Sequence, residues 1–229
     1  MSARLVPPPE LGPIPPRIYA PPADLRVVHR DADVLIVDKP AGLLSVPGNG
    51  AGMDDCVESR ARLIDPAARI VHRLDLDTSG VMVLALNPSA LRHLGMQFER
   101  RHVRKTYEAR VYGRMAVSAG RMRLALRGDW PNRPRQIADE TLGKPAVTDW
   151  EVMWREPDAT RVRLKPYTGR THQLRVHMLW LGHPILGDPL YATGAALAGA
   201  AGLQLHAAAL ALRRPADGRI ARYQAPAPF

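Results

Sequence analysis

The chain has 229 residues, 46% apolar and 24% charged, enough to bury a sizeable core and ordinary for a folded protein. Lys and Arg total 32 against 22 Asp and Glu, a formal charge of +10, and lysine supplies only Lys39, Lys105, Lys144 and Lys165 of those bases. No run of about 18 apolar residues exists, no secretory pattern opens the chain, and the lone Cys56 cannot form an internal disulfide; a membrane span and a disulfide scaffold are excluded and a cytoplasmic protein is expected.

Residues 1–24 form a proline-rich arm with Pro7, Pro8, Pro9, Pro13, Pro15, Pro16, Pro21 and Pro22. Such a segment favours extended conformations and packs no core of its own, so a loose arm is expected. With only Arg4 and Arg17 it has little to offer a phosphate. Residues 25–229 read as one mixed α+β domain with much antiparallel sheet. Val27-Val28 and Asp33–Lys39 read as short strands joined by a polar turn, and Pro40–Gly48 as a turn-rich apolar loop. A helix is predicted over 53–64 and a strand over 81–86. Asn87 and Pro88 look like an N-cap followed by proline at the first helical position, with Leu91, Leu94 and Phe98 as the apolar stripe. Residues 104–112 alternate like a strand, with Tyr107, Ala109 and Val111 on the apolar face. Further strands are predicted at 121–126, 146–154 and 160–165. A helix over 171–181 ends at Gly182 and Pro184, and strands near 203–212 and 219–224 close the chain.

The surplus of positive charge points to a polyanion partner, most simply RNA or DNA. A GC-rich genome would explain Arg over Lys but not the excess of bases over acids. The stretch His72-Arg-Leu-Asp75-Leu-Asp-Thr-Ser-Gly80 sets a carboxylate in a short polar turn against a core strand. Asp75 there can serve as nucleophile, general base or metal ligand, or simply cap a turn as Asp77 and Thr78 do. Arg73 can pair with it or point outward toward RNA. In the helix over 171–181, Leu174, Met178 and Leu181 form the buried stripe. Arg175 lies at its edge, where its head could reach a carboxylate while its stem stays packed, unless it is an ordinary surface arginine. Tyr107 is either a core tyrosine or an aromatic platform beneath a flipped base, and spacing alone favours the core.

His172 and His177 are five residues apart, about 140° around a helix, so they do not share a metal in the i, i+4 manner. No cysteine pair completes a zinc site, and no metal is expected. Asp75-Leu-Asp77-Thr78 lacks the apolar strand before it and the threonine position of the haloacid-dehalogenase-type phosphatase motif. Gly48-Asn-Gly-Ala-Gly52 lacks the Gly-Lys-Ser/Thr of a phosphate loop.

Five blocks in order resemble the RluA family of RNA pseudouridine synthases. They are Asp33–Gly48, His72–Gly80, Arg104-Lys-Thr-Tyr107, Lys165–His177 and Leu181–Asp188. The resemblance implies the pseudouridine synthase catalytic fold, a largely antiparallel mixed sheet with flanking helices and a central cleft. About 25 residues precede the first strand, too few for the S4-type RNA-binding domain of larger members. The absence of that domain, with Asp129-Trp-Pro-Asn-Arg-Pro-Arg-Gln136, is similar to the dual-specificity branch acting on 23S rRNA and the tRNA anticodon stem-loop.

By that resemblance Asp75 is the catalytic aspartate of an isomerisation that detaches uracil from ribose, rotates it and rejoins it through carbon. Whether it attacks the uracil ring or the anomeric carbon, or drives glycal formation, stays open. Tyr107 matches the tyrosine that packs on the target base and is a candidate for proton removal. Arg175 matches the basic residue that pairs with the aspartate and keeps it ionised. Leu174 matches an apolar contact to uracil, and Arg73 an arginine that enters the RNA stack as the nucleotide flips out. The chemistry implies no cofactor, and a monomer is expected. The rival readings are a basic RNA-binding ribosome-assembly factor without catalysis and a hydrolase with an Asp nucleophile. The full set Asp75, Tyr107 and Arg175 argues against the former, and the motif mismatch against the latter.

Overall fold

The computed structural model describes residues 7–229, so the start of the proline-rich arm, with Arg4, lies outside the described residues. Contacts divide the chain into two units. One comprises Arg17–Thr106 and His206–Phe229, the other the chain up to Pro16 and Tyr107–Leu205.

The unit that begins at Arg17 opens with strands β1 (Arg26–Arg30) and β2 (Val34–Lys39), paired antiparallel. Asp31 closes the turn between them, its Oδ1 accepting from the amides of Asp33 and Val34. Val34–Val37 are all buried, as a continuous apolar run in a strand covered on both faces must be. Helix α1 (Val57–Ile64) starts later than the predicted residue 53. Gly48 and Met53 are held in a turn, the Gly48 amide donating to Met53 O at 3.0 Å, and Cys56 is the N-cap, trading bonds with Ser59. Strand β3 (Arg69–Ile70) is too short for any periodicity to announce it. It pairs with β4 (Ser79–Ala85), which also pairs antiparallel with β2. Helix α2 (Pro88–Glu99) has the predicted cap, Asn87 Oδ1 accepting from Ala90 N at 2.8 Å, and the predicted stripe, with Leu94 buried and Leu91 and Phe98 packed beside it.

Strand β5 (Arg104–Tyr112), as predicted, leads at Tyr107 into the other unit, which then carries β6 (Ala119–Arg123), β7 (Leu126–Gly128), β8 (Gln136–Ala138), β9 (Val147–Arg155) and β10 (Ala159–Pro166). Strands β5, β10, β9 and β6 pair antiparallel in that order, and β7 pairs with β8. The predicted strand over 121–126 is therefore two, broken at Leu124-Ala125. Helix α3 (Gln173–Trp180) ends at Gly182, whose φ of 78° is cheap only for glycine. Helix α4 (Gly194–Ala198) is one short turn. Ala109, Val111, Val162, Leu164, Leu174 and Met178 belong to this unit's own core.

The chain returns to the first unit through β11 (Leu205–Arg213) and ends with β12 (Ile220–Gln224), its antiparallel partner. Strand β11 runs parallel to β4, with Ala207 opposite Gly80. Gly80 has φ of 118°, and a Cβ there would sit 2.4 Å from Ala207 O, so no other residue fits. Mostly antiparallel strands with a few helices make this an α+β fold, as expected. No helix among the described residues is long and apolar enough to cross a membrane.

The described part of the arm is not loose. Leu11 and Ile14 pack against the core around β5 and β10, and Gly12 O accepts from Arg135 Nη2 at 2.8 Å. In the other unit, Arg17 pairs with Asp77 and the Tyr19 hydroxyl donates to Asp55 O. Prolines deny the arm a core of its own but also lower the entropy lost on docking, so a few contacts suffice to fix it.

Candidate active site

Asp75 lies in a turn closed by the Thr78 amide, which donates to Asp75 O at 3.1 Å. The turn is fastened along its length. Ser45 Oγ donates to Leu74 O (2.7 Å) and accepts from Leu74 N (3.1 Å). Leu76 O accepts from Gly42 N (2.9 Å) and from Lys39 Nζ (3.0 Å). Asp77 accepts from Arg17, and Ser79 Oγ bonds His206 Nδ1 (2.8 Å). Leu74, Thr78 and Ser79 are buried, while Asp75 is half-buried and Arg73 exposed. A rigid floor with a partly accessible carboxylate is what a reacting group needs. Arg73 makes no ion pair among the described residues, which fits the outward-pointing alternative.

Lys39 was not among the residues singled out from the sequence. It ends an apolar strand and is fully buried, its Nζ bonding Pro40 O, Leu43 O and Leu76 O at 2.7–3.0 Å. Three carbonyls match the three donors of an ammonium. Burial pushes its pKa down to about 7, while Asp77 and Asp75 pull it up and Arg17 pushes it down. His72 stacks on Phe98, ring centroids 4.6 Å apart, and its Nε2 accepts from Val83 N at 3.1 Å, which requires a neutral ring. Burial, with a smaller push from Lys105, lowers its pKa to about 3.

In the other unit, α3 brings Leu174 and Arg175 into the core. Its residues Gln173–Leu179 are all buried, so the helix has no edge. Arg175 is neither a surface arginine nor at the rim of a stripe: its side chain is 2% exposed. Its Nε and Nη2 donate to the two oxygens of Asp188 at 2.8 and 2.6 Å, a planar bidentate pair. Asp188 also accepts from the amides of Leu190 and Tyr191. The Tyr191 ring lies 5.0 Å from the guanidinium carbon, and its hydroxyl bonds His172 Nδ1 (2.8 Å) and accepts from Gln136 N (2.7 Å). His172 has φ of 52° and stands before the helix, not in it. Gln173 fastens the same end: its Oε1 accepts from Thr168 Oγ1 and Arg170 N, and its Nε2 donates to Val147 O and Thr148 Oγ1. Tyr107 lies on β5 opposite Leu164 and is partly buried against this core.

Asp188 and Tyr191 were missed although Asp188 closes one of the resembling blocks. An aspartate directly after apolar Ile185-Leu186 and a glycine was the available signal. Among the described residues no cluster of His, Cys, Asp or Glu is arranged to hold a metal.

Residues 33–180 match the family model described as RNA pseudouridylate synthase, a span holding Asp75, Tyr107 and Arg175. The chain belongs to the RNA pseudouridylate synthase family. It is 49% identical over 214 residues to the dual-specificity RNA pseudouridine synthase RluA of Escherichia coli K12, covering 92% of this chain and 98% of that one. It is 48% identical over 204 residues to the protein of that name from Yersinia pestis, covering 89% and 99%. Among solved structures it is similar to human RNA pseudouridylate synthase domain containing 1, with a TM-score of 0.75 and 31% identity over 90% of this chain and 84% of that one. Like its family, this pseudouridine synthase is an isomerase that converts uridine to pseudouridine in RNA. The catalytic reading is thus favoured over that of a binding factor without activity.

Proposed function

We propose that this pseudouridine synthase acts on uridines in both 23S rRNA and the tRNA anticodon stem-loop, as a cytoplasmic monomer without metal or cofactor. The observation that carries the dual specificity is nearly end-to-end similarity to relatives whose name states it. The sequence Asp129–Gln136 supports the same reading. Asp75 starts the glycosidic-bond rearrangement as a carboxylate, the residue type that can act as nucleophile or base on a flipped uridine. Tyr107 packs on the uracil ring and removes a proton, with Leu174 as an apolar contact. Arg175 supplies the positive charge that favours an ionised carboxylate. Arg73, exposed beside the catalytic turn, fills the RNA stack vacated by the target and offsets the cost of flipping.

Pseudouridine mapping by carbodiimide and primer extension, on rRNA and tRNA from a knockout strain complemented with each variant, tests this reading. Wild type should restore sites in both RNAs and Asp75→Asn in neither. Restoration in one RNA class alone would remove the dual specificity, and activity in Asp75→Asn would remove the role of Asp75.

A further inference from the structure

We propose that Arg17, on the proline-rich arm, is a positioning residue for the turn that carries Asp75. Its Nη1 donates to Asp77 Oδ1 at 2.5 Å, two residues past the proposed reacting carboxylate. The proposal rests on the reading of Asp75 as that carboxylate.

The arm around Arg17 is fastened to the loop between β2 and α1 and to α1 itself. Tyr19 OH donates to Asp55 O at 2.5 Å and accepts from Leu44 N at 3.1 Å, joining both ends of the loop between β2 and α1. Arg60 Nη1 donates to Ala23 O at 2.9 Å. The arm also lies over Gly42, where an added Cβ would be 3.6 Å from Pro22 Cδ and 3.9 Å from Arg17 Nη2. Gly42 N in turn donates to Leu76 O. Asp77 is thus held directly from the arm by Arg17, and its neighbour Leu76 by the Gly42 amide. Lys39 holds Leu76 from below.

The Arg17 side chain is 46% exposed and that of Asp77 16%, so the pair contributes little to global stability. Its effect belongs to the placement of the turn, because displacing a reacting group by about 1 Å costs on the order of 100-fold in rate. A loosened turn, still held by Lys39 and Ser45, should lose part of that.

The test is single-turnover kinetics and RNA binding on a stem-loop substrate, with Asp75→Asn as the inactive reference. Arg17→Ala and Asp77→Ala should each lower the rate about tenfold, and the double variant no further. RNA affinity and the melting temperature should stay close to wild type. Arg17→Lys should recover part of the rate. Full rate in Arg17→Ala would overturn the proposal. So would a fall in RNA affinity matching the fall in rate, which would make Arg17 an RNA contact. Activity in Asp75→Asn is a separate outcome: it removes the reading of Asp75, and this proposal with it, whatever Arg17 does.

Discussion

Arg175 and Asp188 form a bidentate ion pair whose side chains are 2% and 0% exposed. Asp188 spends its remaining acceptor capacity on the amides of Leu190 and Tyr191, so it fixes both the guanidinium and the turn that follows. Arg175 is thereby held in one place, as its proposed role in a preorganised site requires.

Asp188→Ala should therefore act on stability as well as activity. It leaves a buried guanidinium without this counter-charge, and breaking such a pair costs about 3–5 kcal/mol. Urea unfolding should register that loss as a lower midpoint with little change in slope. A near-wild-type midpoint would mean the pair is not held closed in solution.

Lys39→Met removes the ammonium that three carbonyls share. Leaving buried carbonyls unsatisfied costs about 1–3 kcal/mol for each that finds no water. The prediction is a destabilisation of at least about 2 kcal/mol, together with a drop in single-turnover rate because Leu76 loses a tether. Lys39→Arg should not rescue, since a planar fork cannot reproduce three convergent short bonds.

The lowered pKa of His72 sets a pH dependence. The folded ring binds its proton only near pH 3, the unfolded one near its ordinary 6.5. Between those values the unfolded state holds more protons, so stability falls as pH drops through this window and is fully present above it. His177, lowered by burial to about 4, acts with the same sign. The diagnostic is a comparison: melting temperature against pH should be flatter for His72→Gln than for wild type between pH 6.5 and 3. Parallel curves would remove His72 as a source.

Gly80→Ala places a Cβ against the Ala207 backbone at a φ that L residues avoid. A loss of at least about 2 kcal/mol is expected from backbone strain and overpacking together. Because Gly80 ends the stretch that carries Asp75, the proposed reacting carboxylate, activity should fall at temperatures where the protein is still folded, measurable by assay well below its melting point.

Arg73→Ala should lower the single-turnover rate more than RNA affinity, because one exposed cation among many contributes little to binding. Equal losses in rate and dissociation constant would assign Arg73 to general RNA attraction.

Local signals in this sequence were reliable where the structure is itself local. The Asn87-Pro88 cap, the alternation of β5 and the apolar run of β2 each rest on interactions within a few residues, and each was legible. The family and the α+β class were legible through ordered blocks of sequence, which are also the source of the proposed roles of Asp75, Tyr107 and Arg175. The environment of Arg175 was not. Periodicity assigns faces only when a helix has a wet side, and α3 has almost none. Nor could spacing reveal that Lys39 reaches Leu76, that Arg175 meets Asp188, or that the arm is tied to Asp77 through Arg17. Those partners are remote in the chain, and only burial of both units' cores brings them within bonding distance. The sequence by itself determined the family and the α+β class; the tertiary structure decided which charges are paired, which are buried, and what holds the turn of Asp75 in place.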